Sequence, residues 1–260
     1  MEEKMLEEPQ AEPIPWTVWD IAKGIGLVIV FTILISFGLG IGTTLLIGSD
    51  ALVEITSQDM TITELIAEFF DVLESEGLLH QWLIIVFVGM ILGEGAMVLG
   101  AWRFSAYKYR RGWRALGFRR FKVKRGLILA GVVVLVGLLI SFLYEMLMTS
   151  DESVTMEFTE TGLGLAIIAL LAVVVAPVAE ETFFRGFLFS GLGNRYGYGW
   201  GAVFSALIFS LAHILQPGSF LPIFLLGLLL AWLYMKTGSI WACIFTHFAY
   251  NSIALIFMII

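Results

Sequence analysis

Hydrophobic residues in this chain gather into long runs separated by short polar stretches. The runs occupy roughly 21–47, 80–102, 126–149, 162–192, 199–215, 219–235 and 239–260. Crossing about 30 Å of hydrocarbon takes about 20 helical residues, so each run reads as a membrane span. The fifth is short and starts among Gly197, Gly199 and Gly201. The fourth is long and carries charges in its second half. The pattern predicts an all-α, polytopic transmembrane helical bundle of about seven spans (six to eight), with no appended soluble domain and no internal repeat. Between the first two runs, Thr61 and Glu64 have capping-box spacing, and Leu65, Ile66, Phe69, Phe70 and Leu73 follow at helical spacing. That predicts a helix in the 48–79 loop, either lying in the membrane interface or packed on the ends of the spans.

Composition narrows the class. The chain has 260 residues, 59% hydrophobic and 14% charged, with a mean hydropathy of +0.92. Soluble domains are about half apolar and about a quarter charged, so a soluble globular enzyme is excluded, and so is disorder. Cys243 is the single cysteine, which excludes a disulfide framework, a cysteine zinc site and an iron–sulfur cluster. A net charge of -7 gives no reason to expect a nucleic-acid partner.

The distribution of charge says more than its sum. Ten of the 15 Lys and Arg lie between Arg103 and Arg125, while 48–79 and 149–161 contain acids and no Lys or Arg. The positive-inside rule then makes 103–125 cytoplasmic. Alternation puts the N-terminus inside, 48–79 and 149–161 outside, Arg195 and Lys236 inside, and the C-terminus outside. The acidic N-terminus (Glu2, Glu3, Glu7, Glu8, Glu12) does not read as a signal peptide, so the first run reads as a retained span. The organisation expected is a cytoplasmic tail over 1–20, two N-terminal spans with their loops over 21–125, and a membrane core over 126–260. The basic loop reads first as a topogenic, anionic-lipid-binding segment and second as a docking surface for an acidic partner.

Ionisable residues inside spans are costly and mark functional sites. Here they are Glu94, Glu145, Glu180, Glu181, Arg185, His213 and His247, joined by the amide of Asn251. Glu181 and Arg185, four apart, share a helix face and can pair. Glu180 points about 100° away and is free to face a cavity. His247 and Asn251 also share a face. At 1.5 Å per residue, Glu180 and His213 each lie about 20 Å from the cytoplasmic ends of their spans, His247 about 12 Å and Asn251 about 18 Å. The four meet at a similar depth. A glutamate beside two histidines in a dry cavity can activate water, the histidines holding it directly or through a metal. Glu94 and Glu145 fall outside this grouping and read as structural hydrogen-bonding residues, with Glu145 facing the bundle interior near the outer side.

Other hydrolytic chemistries fit less well. No His-Glu-x-x-His zinc motif follows His80, His213 or His247. The aspartates Asp20, Asp50, Asp59, Asp71 and Asp151 fall at span edges or in loops. Ser239 lacks a Gly-x-Ser-Gly turn. Cys243 and His247 are spaced for a dyad, but a buried cysteine is usually an apolar filler.

Three motifs stand in order on separate spans: Glu180-Glu181-x-x-x-Arg185, Phe209-x-x-x-His213 and His247-x-x-x-Asn251. Together they resemble the signature of the CPBP or Abi intramembrane proteases, the family of type II CAAX prenyl endopeptidases and bacteriocin-processing enzymes. The resemblance covers about 175–255. The stretch Leu116-Gly117-Phe118-Arg119-Arg120 also looks like the start of that family's core. The resemblance implies a conical cavity open to the cytoplasm and to lipid. It implies Glu180 as general base and His213 holding the same water. His247 and Asn251 would stabilise the oxyanion, and Glu181, Arg185 and Phe209 would support the site. It leaves two cofactor readings, a metal-free site or a divalent metal such as zinc on Glu180, His213 and His247, with the metal-free site preferred. The expected partners are a membrane-anchored peptide or protein substrate, a prenylated CAAX-type protein being one class, and the bilayer of a prokaryotic cell. A non-catalytic scaffold or immunity protein is the competing reading. A transporter is a third, for which paired repeats with broken helices would be needed.

Overall fold

A computed structural model describes residues 14–57, 61–147, 162–214 and 220–259. All regular structure among them is helical: α1 (Val18–Ile47), α2 (Ser49–Thr56), α3 (Ile62–Ser75), α4 (Leu79–Tyr107), α5 (Val123–Leu147), α6 (Gly162–Tyr196), α7 (Tyr198–Ala212), α8 (Phe220–Thr237) and α9 (Ile240–Ile259). Six of these (α1, α4, α5, α6, α8 and α9) are long and apolar enough to cross a membrane. The protein is an integral membrane protein built as a polytopic helical bundle. The acids expected on the outer loops at Asp59, Asp151, Glu152, Glu157 and Glu160, and those of the N-terminus, lie outside the described residues.

The fifth expected span, 199–215, is where the bundle departs from the pattern. α7 has 15 residues and ends at Ala212, with His213 as its cap. That is about 22 Å of helix, short of the roughly 30 Å hydrocarbon core. Hydropathy runs on past His213, but hydropathy alone does not register where a helix stops.

One end of the bundle is knitted by the loops that carry most of the basic residues. Asp20 closes the capping box of α1 with Thr17 and also accepts from Lys108 Nζ and, at 2.7 Å, from Tyr109 Oη. The Asp20 carboxylate beside Lys108 raises its pKa. A 3-10 turn, Trp113–Leu116, follows and ends at Gly117, whose φ of 94° suits a residue without a side chain. The Gly117 carbonyl accepts from Ile240 N–H at 2.8 Å, and Ser239 Oγ donates to the Arg119 carbonyl. Leu116 packs so closely on Gly186 of α6 that a Cβ there would lie 2.7 Å from the Leu116 carbonyl oxygen. The loop 113–120 thereby ties the start of α9 to the middle of α6.

At the opposite end, α3 begins with the Thr61–Glu64 capping box. Of the two placements open for this helix, the one adopted is packing on the ends of the spans. Leu73 is buried with Leu79 and Leu83, and Phe69, Phe70, Trp82, Leu46, Ile47, Leu163 and Ile167 surround them.

Candidate active site

α6 is wound unevenly, and its winding places the site. Two stretches, Ala169–Val175 and Glu181–Phe189, are π-helical, with five α-helical residues between them. Pro177 lies in that short segment and has no N–H to donate. Just before it, Ala176 N–H reaches back five residues to the Leu171 carbonyl. By the same spacing the Ala172 carbonyl would be served by residue 177, which is the proline. Asn251 of α9 supplies the missing donor, its Nδ2 lying 2.7 Å from Ala172 O. Further along, donors from outside the helix ladder reach carbonyls of the wide turns. Trp16 Nε1 donates to Phe187 O at 3.0 Å, Ser205 Oγ to Phe184 O at 2.8 Å and Ser190 Oγ to Arg185 O at 2.9 Å. Every residue from Ala179 to Gly193 is buried.

The change of winding falls between Glu180 and Glu181, and the two carboxylates take up the two ring nitrogens of one histidine. His247 Nδ1 lies 2.9 Å from Glu181 Oε1, and its Nε2 lies 3.7 Å from Glu180 Oε2. His213 Nε2 lies 3.5 Å from the other oxygen of Glu180. His213 Nδ1 lies 2.8 Å from the Phe209 carbonyl. A carbonyl oxygen only accepts, so His213 Nδ1 carries a hydrogen and donates it. Glu181 likewise accepts from His247 Nδ1. Both imidazoles are thus oriented from behind and turn Nε2 toward Glu180. The glutamate side chain is 9% exposed and His247 4%, whereas His213 is 21% exposed. His213, as the cap of the short α7, is the member of the cluster most open to the outside.

Arg185 holds the far side of the pair. Its Nη1 donates to Glu181 Oε1 at 2.8 Å and its Nη2 to the Gly227 carbonyl of α8 at 3.3 Å. Its guanidinium lies 4.5 Å from the centre of the Phe209 ring. Phe209 is edge-on to both His213 and His247, with centroids 4.9 and 6.0 Å away. One aromatic ring therefore spaces the cation from both imidazoles. The Glu181 Oε2 and Arg185 Nε atoms are buried without hydrogen-bond partners.

Six of the seven residues singled out in the three motifs come together: Glu180, Glu181, Arg185, Phe209, His213 and His247. Asn251 joins at one remove, with one of its two N–H groups spent on Ala172. The Cys243–His247 pairing does not form. Cys243 Sγ lies near the carbonyls of Leu230 and Ser239, and the His247 Nδ1 goes to Glu181. Glu145 is exposed near the end of α5 and does not face the bundle interior. Glu94, read as a structural residue, has its Oε2 buried with no hydrogen-bond partner, and its α4 segment packs against the middle of α6. The sequence signal was the carboxylate inside a span. What it lacked was any way to tell that α4 faces the motif helices.

As for a metal, each imidazole faces a different oxygen of the one carboxylate. Among the described residues, no group of three or more His, Cys, Asp and Glu is disposed to hold a metal ion.

Residues 162–253 match the model of the family described as Type II CAAX prenyl endopeptidase Rce1-like. That segment contains all three motifs. A protein of Bacillus subtilis (strain 168) named "Putative membrane peptidase YdiL" is 29% identical over 87 residues, which is 34% of this chain and 35% of that protein. The chain thus matches about a third of that relative's length. No solved structure matches the chain.

Proposed function

We propose that the protein is an intramembrane endopeptidase that hydrolyses a peptide bond of a membrane-associated substrate, with CAAX-type proteins as the class the family match suggests. The observation that carries this reading is the turning of both Nε2 atoms onto the two oxygens of Glu180 while both Nδ1 atoms are tied down behind. Two acceptors facing each other across 3.5 Å require a shared proton or a donor such as water. Water bound there would give one proton to Glu180, attack the scissile carbonyl, and leave Glu180 to pass that proton to the departing amine. His213, tied to Phe209, would hold the water. His247 would donate to the oxyanion from Nε2 when it carries both protons, and Asn251, one turn further along α9, would add its second N–H. Glu181 and Arg185 would act by holding His247, and Phe209 by spacing the ring of His213.

We read the reaction as metal-free, because each imidazole faces its own oxygen of Glu180, and derive no step through a metal. The basic loop 103–125 would face the cytoplasm, so the termini would be inside and outside as the charge pattern gives them. The cell would be prokaryotic.

The test is cleavage of a panel of membrane-tethered peptides, including a farnesylated CAAX peptide, by purified wild type and Glu180→Ala, with metal content measured on the same samples. Cleavage by wild type and not by Glu180→Ala is the expected result. Wild-type rates in Glu180→Ala would overturn the assignment of the base. A stoichiometric metal whose removal abolishes cleavage would overturn the metal-free reading. Cleavage by neither protein, with the cellular role intact in Glu180→Ala, would favour a scaffold.

A further inference from the structure

At the end of the bundle that carries the basic loop, a groove of about 550 Å³ separates the segment leading into α1 from the C-terminal turns of α6. Small-molecule sites typically span about 300–1,000 Å³. The walls include Trp16, Thr17 and Trp19 on one side and Asn194, Arg195 and Tyr196 on the other. Two hydrogen bonds fix these walls to each other. Trp16 Nε1 donates to Phe187 O at 3.0 Å, and Asn194 Nδ2 donates to Ile14 O at 3.3 Å.

The groove holds unmet positive charge. Arg195 is exposed, with its guanidinium 5.5 Å from the centre of the Tyr196 ring, and it forms no ion pair among the described residues. Val18 and Trp19 also line the groove, and their N–H groups, the first two of α1, have no acceptor among the described residues. Asp20 is the only carboxylate among the described residues at this end. It is buried and already accepts from Lys108 and Tyr109. An anion therefore meets a cation and free donors here, whereas a cation meets no free carboxylate. The setting chooses among anions. Trp19 and Tyr196, with Tyr198 and Trp200 at the start of α7, are exposed at this end, and such rings sit at the level of lipid headgroups. Gly26, Val30 and Phe37 follow Trp19 on one face of α1. Val30 and Phe37 are exposed, and a side chain at Gly26 would meet nothing within 4 Å. An acyl chain leaving the groove has that apolar track to follow, and a soluble anion or an acidic peptide has no use for it.

We propose that this groove binds an anionic phospholipid, with the phosphate on Arg195 and an acyl chain along the exposed face of α1. The guanidinium fork offers two parallel N–H groups to two phosphate oxygens. The site is built from α1 and α6, apart from the basic loop 103–125, and it does not depend on the endopeptidase reading. A lipid seated there lies against Trp16 and Asn194. It thus braces the attachment of residues 14–16 to α6, next to the wide-wound stretch that ends at Phe189.

The experiment titrates the full chain in micelles with phosphatidylglycerol or phosphatidylcholine and follows bound lipid by native mass spectrometry. Phosphatidylglycerol is expected to bind about fivefold tighter or more and to raise the melting temperature further. Arg195→Gln should abolish both differences. Arg120→Gln removes an exposed charge of the basic loop and should leave them in place. An unchanged preference in Arg195→Gln overturns the proposal. Equal losses in Arg195→Gln and Arg120→Gln also overturn it, because they would mark a response to net charge and not to a site. Glycerol 1-phosphate probes for a soluble anion, and displacement of the lipid at equal concentration would show that the track on α1 plays no part and overturn the lipid assignment. The chain's own acidic N-terminal residues are tested as the occupant with Glu7→Gln/Glu8→Gln/Glu12→Gln. A lipid preference that emerges only in that variant would overturn the proposal. Because Arg195 is exposed, Arg195→Gln should melt like wild type without added lipid, which separates a lost site from misfolding.

Discussion

α1 and α6 are both long apolar helices, and the bundle uses them in opposite ways. Of the 30 residues of α1, only Asp20, Ile21 and Gly24 are buried, all in its first turns. Ile33, Phe37 and Leu45 are exposed, and a side chain at Gly26, Gly38 or Gly40 would meet nothing. α6 is buried without a break from Ala179 to Gly193, and four of the polar contacts of its wide turns come from other helices or from the segment before α1. In lipid an exposed apolar face costs nothing, so tight packing is not needed to hide it. Packing is concentrated where a polar group must be held. The lesson is that burial in this bundle follows the charges and not the hydropathy.

That contrast can be broken or sharpened by substitution. The largest expected effect is chemical. Glu180→Ala should lower kcat/KM about 10³-fold with little change in melting temperature, measured on purified protein with the peptide panel. Next, Arg185→Met should strand the Glu181 carboxylate and cost about 3–5 kcal/mol of stability. The matching change in α1, Lys23→Met, removes an exposed charge and should stay within about 0.5 kcal/mol. Unfolding of the two variants in parallel reads the difference. If they lose equal stability, the contrast between the helices is wrong. Glycines give a smaller version of the same comparison. Gly186→Ala presses on the Leu116 carbonyl and should cost about 1–3 kcal/mol, whereas Gly40→Ala should gain about 0.5–1 kcal/mol from helix propensity alone. A small destabilisation is expected for Trp16→Phe, which keeps an aromatic ring and loses the bond to Phe187 O, at about 1 kcal/mol. Its mark should be faster amide exchange around residue 187 more than a lower melting point.

Much of this was legible in the sequence because membrane spans advertise themselves. The helical class, the apolar runs and the convergence of Glu180, His213 and His247 followed from hydropathy, spacing and depth. Equal depth along the spans holds for straight helices, and the details hidden from the sequence are those where the helices are not straight. The link from Asn251 to Ala172 exists because Pro177 interrupts a wide-wound stretch of α6, which a uniform helix cannot show. The stop of α7 at Ala212 was invisible because Ile214 and Leu215 continue the apolar run. Glu94 was recognised as an ionisable residue in a span, yet its neighbours belong to helices more than eighty residues away in the chain. The contact of α4 with α6 is tertiary information. The Asp20–Lys108–Tyr109 cluster went unread for the same reason, although a charge so near the start of an apolar run was a visible cue.

The hydrogen bond from Trp16 to Phe187 spans 171 residues. Ribosomes add about 5–20 residues per second, so the donor is made about 10–30 s before its acceptor. Asp20 waits about half as long for Lys108, 88 positions later. Until α4 follows, α1 must sit in the bilayer without a partner. A helix whose exposed face is apolar can do so in lipid without exposing anything that aggregates. The loose packing of α1 is thus suited to a timing problem: the first helix to be synthesised is one that can wait for the helix it eventually clasps.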